Sequence, residues 1–86
     1  SDLKALERQI QRTVQSTLPL AKEKVTLQLA SYQAGKANLS DVIETRQALL
    51  NQRLRLIDLQ QQQAMIKAQL YFSFVEPTLN HVEESR

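Results

Sequence analysis

Two clusters of ionisable side chains are the candidates for chemistry in this sequence. Asp41 and Glu44 are three residues apart, a spacing that places both carboxylates on one face of a helix. The sequence offers them no positioned nucleophile, partner base or glycine-rich loop, so an acid–base pair has little support. Both are better explained as acidic residues in the first turn of a helix, where the helix dipole favours negative charge. We therefore predict no catalytic residue and no enzyme activity.

The other cluster is His81 with Glu83 and Glu84, close to the end of the chain. Histidine and carboxylates can bind a transition metal, but the sequence holds one histidine and no cysteine to complete a site. We interpret this segment as a solvated tail, and we predict no metal site and no cofactor. The lack of cysteine excludes disulfides and leaves the redox compartment open.

Charge and composition restrict the classes of function further. Eleven basic and nine acidic residues are scattered along 86 residues, which gives a net charge of +2 and no basic stripe for a nucleic-acid backbone. The apolar run at residues 71–75 is far too short to cross a membrane. We expect no nucleic-acid partner and a soluble chain. The sequence begins inside a helical pattern, which we interpret as the boundary of a fragment.

The elements that position these side chains are predicted to be helices almost throughout, because the chain is rich in good helix formers. In the first half, apolar residues recur every three or four positions and define one helical face. They are Leu3, Leu6, Ile10, Val14, Leu18, Ala21, Val25, Leu29 and Tyr32. Pro19 interrupts this stripe, since proline cannot donate to the Gln15 carbonyl. Either the helix breaks there, with Ser16 or Thr17 as a cap, or one long helix is kinked; we favour the kink because the stripe continues.

Gly35 is the only glycine, and it follows the last residue of the stripe. Helices commonly end at a residue in the left-handed conformation, which glycine adopts without a steric penalty. Three residues later, Asn38 can cap a second helix, with Asp41 at the position of the acid in a capping box. A connection this short makes the two helices antiparallel neighbours. The fold prediction is an all-α, coiled-coil-like antiparallel helical hairpin with its turn at Gly35.

The second helix is predicted to run from about residue 39 to residue 73, with Glu76-Pro77 ending it. Residues 1–75 would form the hairpin and residues 76–86 a polar tail. The apolar residues of this helix form two adjacent heptad rows. The first row is Val42, Leu49, Leu56 and Leu70; the second is Ile43, Leu50, Ile57, Ala64 and Tyr71, with Leu54 and Ala68 widening the face. One partner helix covers one row, so we expect neighbours on both sides and, for the chain by itself, a dimer of hairpins.

The stretch from Tyr32 to Glu44, Tyr-Gln-Ala-Gly-Lys-Ala-Asn-Leu-Ser-Asp-Val-Ile-Glu, resembles the TolC-type outer-membrane efflux proteins. Their repeat carries a Tyr-x-x-Gly turn, an apolar-x-Asp-apolar-apolar helix start and a long amphipathic helix that ends in Ala-x-x-Leu-like residues, here residues 68–71. The similarity spans roughly residues 25–72. Each element is weak by itself, but their order and spacing together are fairly specific.

The resemblance implies a segment of a trimeric channel whose helical barrel lies in the periplasm, with the whole channel in the cell outer membrane. It implies two partners, a periplasmic adaptor protein and an inner-membrane pump, and the export of small molecules or metal ions. Tyr32, Gly35 and Lys36 would lie at the tip that closes the entrance. Asp41 and Glu44, repeated by threefold symmetry, would form acidic rings that favour cations. Lys36 follows the glycine without the arginine found in the best-known members.

Two other classes of function stay open. The α-hairpin of a periplasmic adaptor protein has a similar length and similar heptads, although the Tyr-x-x-Gly turn favours the channel and the Arg-x-x-x-Leu tip pattern of adaptors is missing. A stand-alone structural helical bundle is the third class, and the two apolar rows of the second helix disfavour it.

Overall fold

The computed structural model describes the backbone of residues 2–84 and the side chains of residues 2–75. Within this range every regular element is a helix and only residues 34–38 are non-helical, which confirms the all-α prediction. The first long helical stretch comprises α1 (Asp2–Arg12), a π-helical turn (Thr13–Thr17) and α2 (Leu18–Gln33). The second is α3 (Leu39–Glu84). The chain measures 77 × 19 × 13 Å along its principal axes.

The first helical stretch passes Pro19 without a break. Thr17 and Leu18 keep right-handed helical backbone angles, with φ and ψ of −64° and −48° and of −66° and −48°, and the Thr17 side chain makes no capping hydrogen bond. The Leu18 amide donates to the Thr13 carbonyl, five residues back, so this turn contains one extra residue. A wider turn relieves the crowding between the proline ring and the preceding carbonyls. The prediction of one long helix through Pro19 is therefore confirmed and the helix break is wrong, while the kink at Pro19 stays a prediction.

The extra residue changes which side chains of the first stretch are buried. A residue added to a turn rotates everything after it by about 100° around the helix axis. Thr13 is buried, 6% exposed, and its hydroxyl donates to the Gln9 carbonyl at 2.8 Å. Val14 is 48% exposed and Tyr32 is 42% exposed. The predicted placement of Val14 and Tyr32 on the covered stripe is wrong. The other stripe residues lie on the covered face as predicted: Leu6 and Ala21 are buried, and Leu3, Ile10, Leu18, Val25 and Leu29 are half-buried.

One face of α3 is covered, and its positions alternate by three and four residues. We call it the inner seam; it comprises Val42, Thr45, Leu49, Gln52, Leu56, Leu59, Gln63 and Ile66, all buried or half-buried. Val42 and Leu59 are the most buried, each 4% exposed. Leu70 was predicted to continue this row, yet it is 49% exposed. The second predicted row lies outside the inner seam and is exposed.

α3 continues to Glu84, so the prediction that Glu76-Pro77 ends this helix is wrong. The φ angle of proline suits a helix, and the residue removes a single hydrogen bond, the one to the Ser73 carbonyl. One turn earlier, the Ser73 hydroxyl donates to the Gln69 carbonyl at 2.9 Å. The division into a hairpin at residues 1–75 and a tail at residues 76–86 stays a prediction.

Both α1 and α2 contact α3. Three clefts between the helices give the pairing along the chain. Leu6 shares a cleft with Ile66, Thr17 shares one with Gln52, and Ser31 shares one with Thr45.

Candidate functional site

The connection between α2 and α3 begins with a closed hydrogen-bond pattern. The Lys36 amide donates to the Ser31 carbonyl at 2.8 Å, and the Gly35 amide donates to the Tyr32 carbonyl at 3.0 Å. These two bonds form the Schellman motif, which satisfies carbonyls at a helix end that have no partner within the helix. Gly35 has a φ of +75°, the left-handed value that the sequence predicts. The backbone, rather than a close neighbour, selects glycine here, because nothing lies within 4 Å of a Cβ built at this position.

The start of α3 carries the predicted capping interaction. The Asn38 carbonyl accepts from the Asp41 amide at 3.1 Å, so Asn38 is the cap residue. The Asp41 carboxylate accepts from the Asn38 amide at 2.9 Å through Oδ2. This is the acidic half of a capping box. Asp41 therefore has a local structural role that does not depend on any pore.

Glu44 differs from Asp41 although the two are one helical turn apart. Its side chain is exposed, whereas Asp41 is half-exposed and bonded to the backbone of the connection. Both carboxylates lie in the first two turns of α3, where the helix dipole stabilises negative charge. Of the two, Glu44 is the one whose carboxylate projects into solvent and could act on ions in solution.

The remaining predicted site residues lie at the same end of the molecule. Tyr32 is 42% exposed in the last turn of α2, and Lys36 is exposed in the connection. Tyr32, Gly35, Lys36, Asp41 and Glu44 are thus brought together around one connection, and both side chains with large polar tips, Tyr32 and Lys36, are accessible from outside.

Sequence reasoning missed an apolar surface on α2. Leu20 is 50% exposed and Leu27 is 59% exposed, although both are large and apolar. Their spacing of seven residues is the sequence signal for a second row.

The far end of α3 also exposes large apolar side chains. Met65 is 63% exposed, Phe72 is 61% exposed and Phe74 is 82% exposed. The rings of Tyr71 and Phe72 meet edge to face, with centroids 5.8 Å apart and planes at 75°. These residues lie at the height of α1's first residue or beyond it, since Asp2 shares a cleft with Ile66.

No candidate metal centre is found within the part of the chain that the structure describes, where no three histidine or acidic side chains converge. The side chains of His81, Glu83 and Glu84 lie outside the described residues. None of the described helices combines the length and apolar character needed to span a bilayer.

No family model, curated protein or solved structure matches the chain. Three features of the chain bear on its function: the connection at Gly35, the apolar faces of α3 and the resemblance of residues 25–72.

Proposed function

We propose that the chain is an antiparallel helical hairpin that turns at Gly35. Three observations support the proposal: the reversed order of the pairs that share clefts, the Schellman motif at Gly35, and the capping box at Asp41. Only Ala37 lies between Lys36, the last residue of the Schellman motif, and Asn38, the first residue of the capping box. A connection this short favours antiparallel neighbours.

We propose further that this hairpin is a periplasmic segment of a TolC-type efflux channel of the outer membrane. The observation that carries the proposal is the second apolar row of α3. Ile43, Leu50 and Ile57 are 46%, 54% and 49% exposed, while the inner seam of the same helix is covered. A helix with apolar residues on two faces suits a barrel wall, in which each helix packs between two neighbours.

In such a channel the Gly35 end would be the periplasmic tip. Tyr32 and Lys36 would be available there for contacts with neighbouring subunits or with a periplasmic adaptor protein, and an inner-membrane pump would deliver small molecules or metal ions. Asp41 and Glu44 would be repeated three times around the entrance. The Asp41 carboxylate is already bonded to the backbone at the start of α3. We therefore assign to Glu44 the larger share of the negative electrostatic potential at the entrance.

The adaptor hairpin is the closest alternative, and a stand-alone helical bundle is the other. The encoding gene separates the three classes. A second copy of the hairpin pattern in the same gene supports the channel, a lipoyl-like domain supports the adaptor, and a gene that encodes these 86 residues and little else supports the bundle.

The channel proposal predicts that Asp41→Ala combined with Glu44→Ala weakens block by divalent cations in single-channel recordings of the full-length protein. Glu44→Gln by itself should produce most of this effect with little loss of thermal stability, because its side chain takes no part in the capping box and lies beyond the first turn, where the helix dipole acts most strongly. Two acidic groups in each of three subunits concentrate cations at a narrow entrance.

The matched control for the recordings is Asp58→Asn, which removes one charge from α3 about 21 Å further along the helix. It should leave cation block unchanged. Identical cation block in the double variant and the unaltered channel would remove Asp41 and Glu44 from the entrance and would count against the channel.

A further inference from the structure

The second apolar row of α3 belongs to a complete seam on the face opposite α1 and α2. We call it the outer seam; it occupies positions 43, 47, 50, 54, 57, 61, 64, 68 and 71, which alternate by four and three residues. Seven of these nine positions are apolar, the exceptions being Gln47 and Gln61. This spacing is that of the core positions of a coiled coil. The outer seam therefore has the pattern of a helix–helix interface of its own.

The outer seam is uncovered in the single chain. Leu50, Leu54 and Tyr71 are 54%, 55% and 64% exposed. The seam runs from residue 43 to residue 71, about 42 Å of helix, so an occupant must be a helix of similar length to cover it. A second α3 is such a helix.

We propose that a second copy of this chain covers the outer seam, with the two α3 helices packed against each other in antiparallel orientation. The helix that covers the outer seam can be chosen by comparing the exposed apolar surfaces of α2 and α3. α2 exposes Leu20 and Leu27, which could cover a small part of a nine-position seam, whereas α3 presents a seam of equal length and composition. Packing the α3 helices of two copies against each other around a two-fold axis covers the outer seam of both copies at once. This inference concerns the 86-residue chain by itself and does not depend on the proposed function.

The sizes of the side chains select the antiparallel orientation. With the two-fold axis midway between Ile57 and Gln61, Leu50 faces Ala68 of the second copy and Leu54 faces Ala64. Each of these layers then combines one large and one small side chain, which gives an even spacing between helices. A parallel pair would place Leu on Leu at one end and Ala on Ala at the other, so that the small layers would leave voids.

The charged residues beside the outer seam make the orientation measurable. In the antiparallel pair Arg53 lies beside Lys67 of the second copy, and the two Asp58 side chains approach each other near the axis. In a parallel pair Arg53 would lie beside Asp58. Exposed charge pairs contribute little next to the burial of a whole seam, so they tune the affinity without deciding it. Salt screens the repulsion between like charges in the antiparallel pair, so added salt should strengthen that dimer. In a parallel pair salt would screen the attraction between Arg53 and Asp58, so added salt should weaken the dimer.

Sedimentation equilibrium on the 86-residue chain at micromolar concentration tests the association. We expect a mass of about twice 9.9 kDa. We also expect the dissociation constant to decrease when the NaCl concentration is raised from 50 mM to 500 mM. Leu54→Glu should raise the dissociation constant at least tenfold. Gln69→Glu, which makes the same charge change outside both seams, should leave it unchanged. Circular dichroism should show equal helix content for both variants, because Leu54 is more than half exposed in the single chain.

Disulfide cross-linking tests the orientation, since the chain has no cysteine of its own. Chains with Leu54→Cys mixed with chains with Ala64→Cys should form a disulfide-linked dimer under mild oxidation. Leu54→Cys by itself should not, because the two sulfurs would lie about 15 Å apart along the antiparallel pair. Three results would each overturn the proposal: a single species at 9.9 kDa throughout, an oligomer larger than a dimer, or efficient disulfide formation between two Leu54→Cys chains.

Discussion

Gly35 holds the connection through its backbone conformation. Its φ of +75° lies in the region where a side chain is strained, yet the space around a Cβ at this position is open. A glycine is usually required either by a left-handed backbone conformation or by a neighbouring atom too close for a Cβ, and only the first requirement applies at Gly35. Substitutions at Gly35 therefore measure the cost of the left-handed conformation without a steric clash.

We predict that Gly35→Val lowers the free energy of unfolding by about 1–2 kcal/mol, the cost of placing a β-branched residue in the left-handed region. Gly35→Asn should cost clearly less, because asparagine tolerates this conformation. Urea unfolding at one fixed protein concentration measures both. Equal losses for the two variants would show that the backbone angle at position 35 is not what the connection requires.

The geometry of some predicted site residues is determined by neighbours in the sequence, and that of others is not. The capping interaction of Asp41 and the left-handed angle of Gly35 could be predicted from the sequence, because each depends on residues three or four positions away. The exposure of Tyr32 could not. Leu18, Val25 and Leu29 belong to the same predicted stripe and are half-buried, whereas Tyr32 is exposed, so apolar spacing does not distinguish them.

At the scale of the element, the π-helical turn explains where sequence reasoning succeeded and failed. Apolar spacing predicted both long helices, but it cannot detect one extra residue in a turn. Val14 is the better core residue by hydrophobicity, yet the polar Thr13 is buried and satisfies its hydroxyl on the Gln9 carbonyl. Likewise, proline chemistry predicted an end to α3 at Pro77, but the helix continues at the loss of one hydrogen bond.

We predict that Pro19→Ala rotates α2 relative to α1. An alanine restores the amide at position 19, so the turn at Thr13–Thr17 can return to α-helical spacing and turn the following residues back by about 100°. Leu27 would then move toward α3. The measurement is the rate at which a maleimide labels Leu27→Cys, which should fall several-fold when Pro19→Ala is added.

The control for this experiment is Gln11→Cys, which precedes the π-helical turn and is exposed. Its labelling rate should not change with Pro19→Ala. If the rate at position 27 is also unchanged, packing against α3 rather than Pro19 maintains the extra residue.

At the scale of the whole molecule, two seams on one helix account for the shape and for both proposals. The inner seam packs on α1 and α2, while the outer seam is left for another helix, whether from a barrel neighbour or from a second copy. The two rows could be predicted from heptad spacing. Which row would be covered could not, because each row is comparably apolar and the choice depends on the path of the connection at residues 34–38.

The antiparallel hairpin is the claim on which the rest depends, and one distance tests it most directly. Gln9 and Gln62 line the same cleft. Spin labels on Gln9→Cys and Gln62→Cys within one chain, diluted with unlabelled chains and measured by double electron–electron resonance, should give a distance below about 25 Å, since packed helix axes lie roughly 10 Å apart. A distance near 80 Å, the length of about 53 residues of uninterrupted helix, would contradict the hairpin.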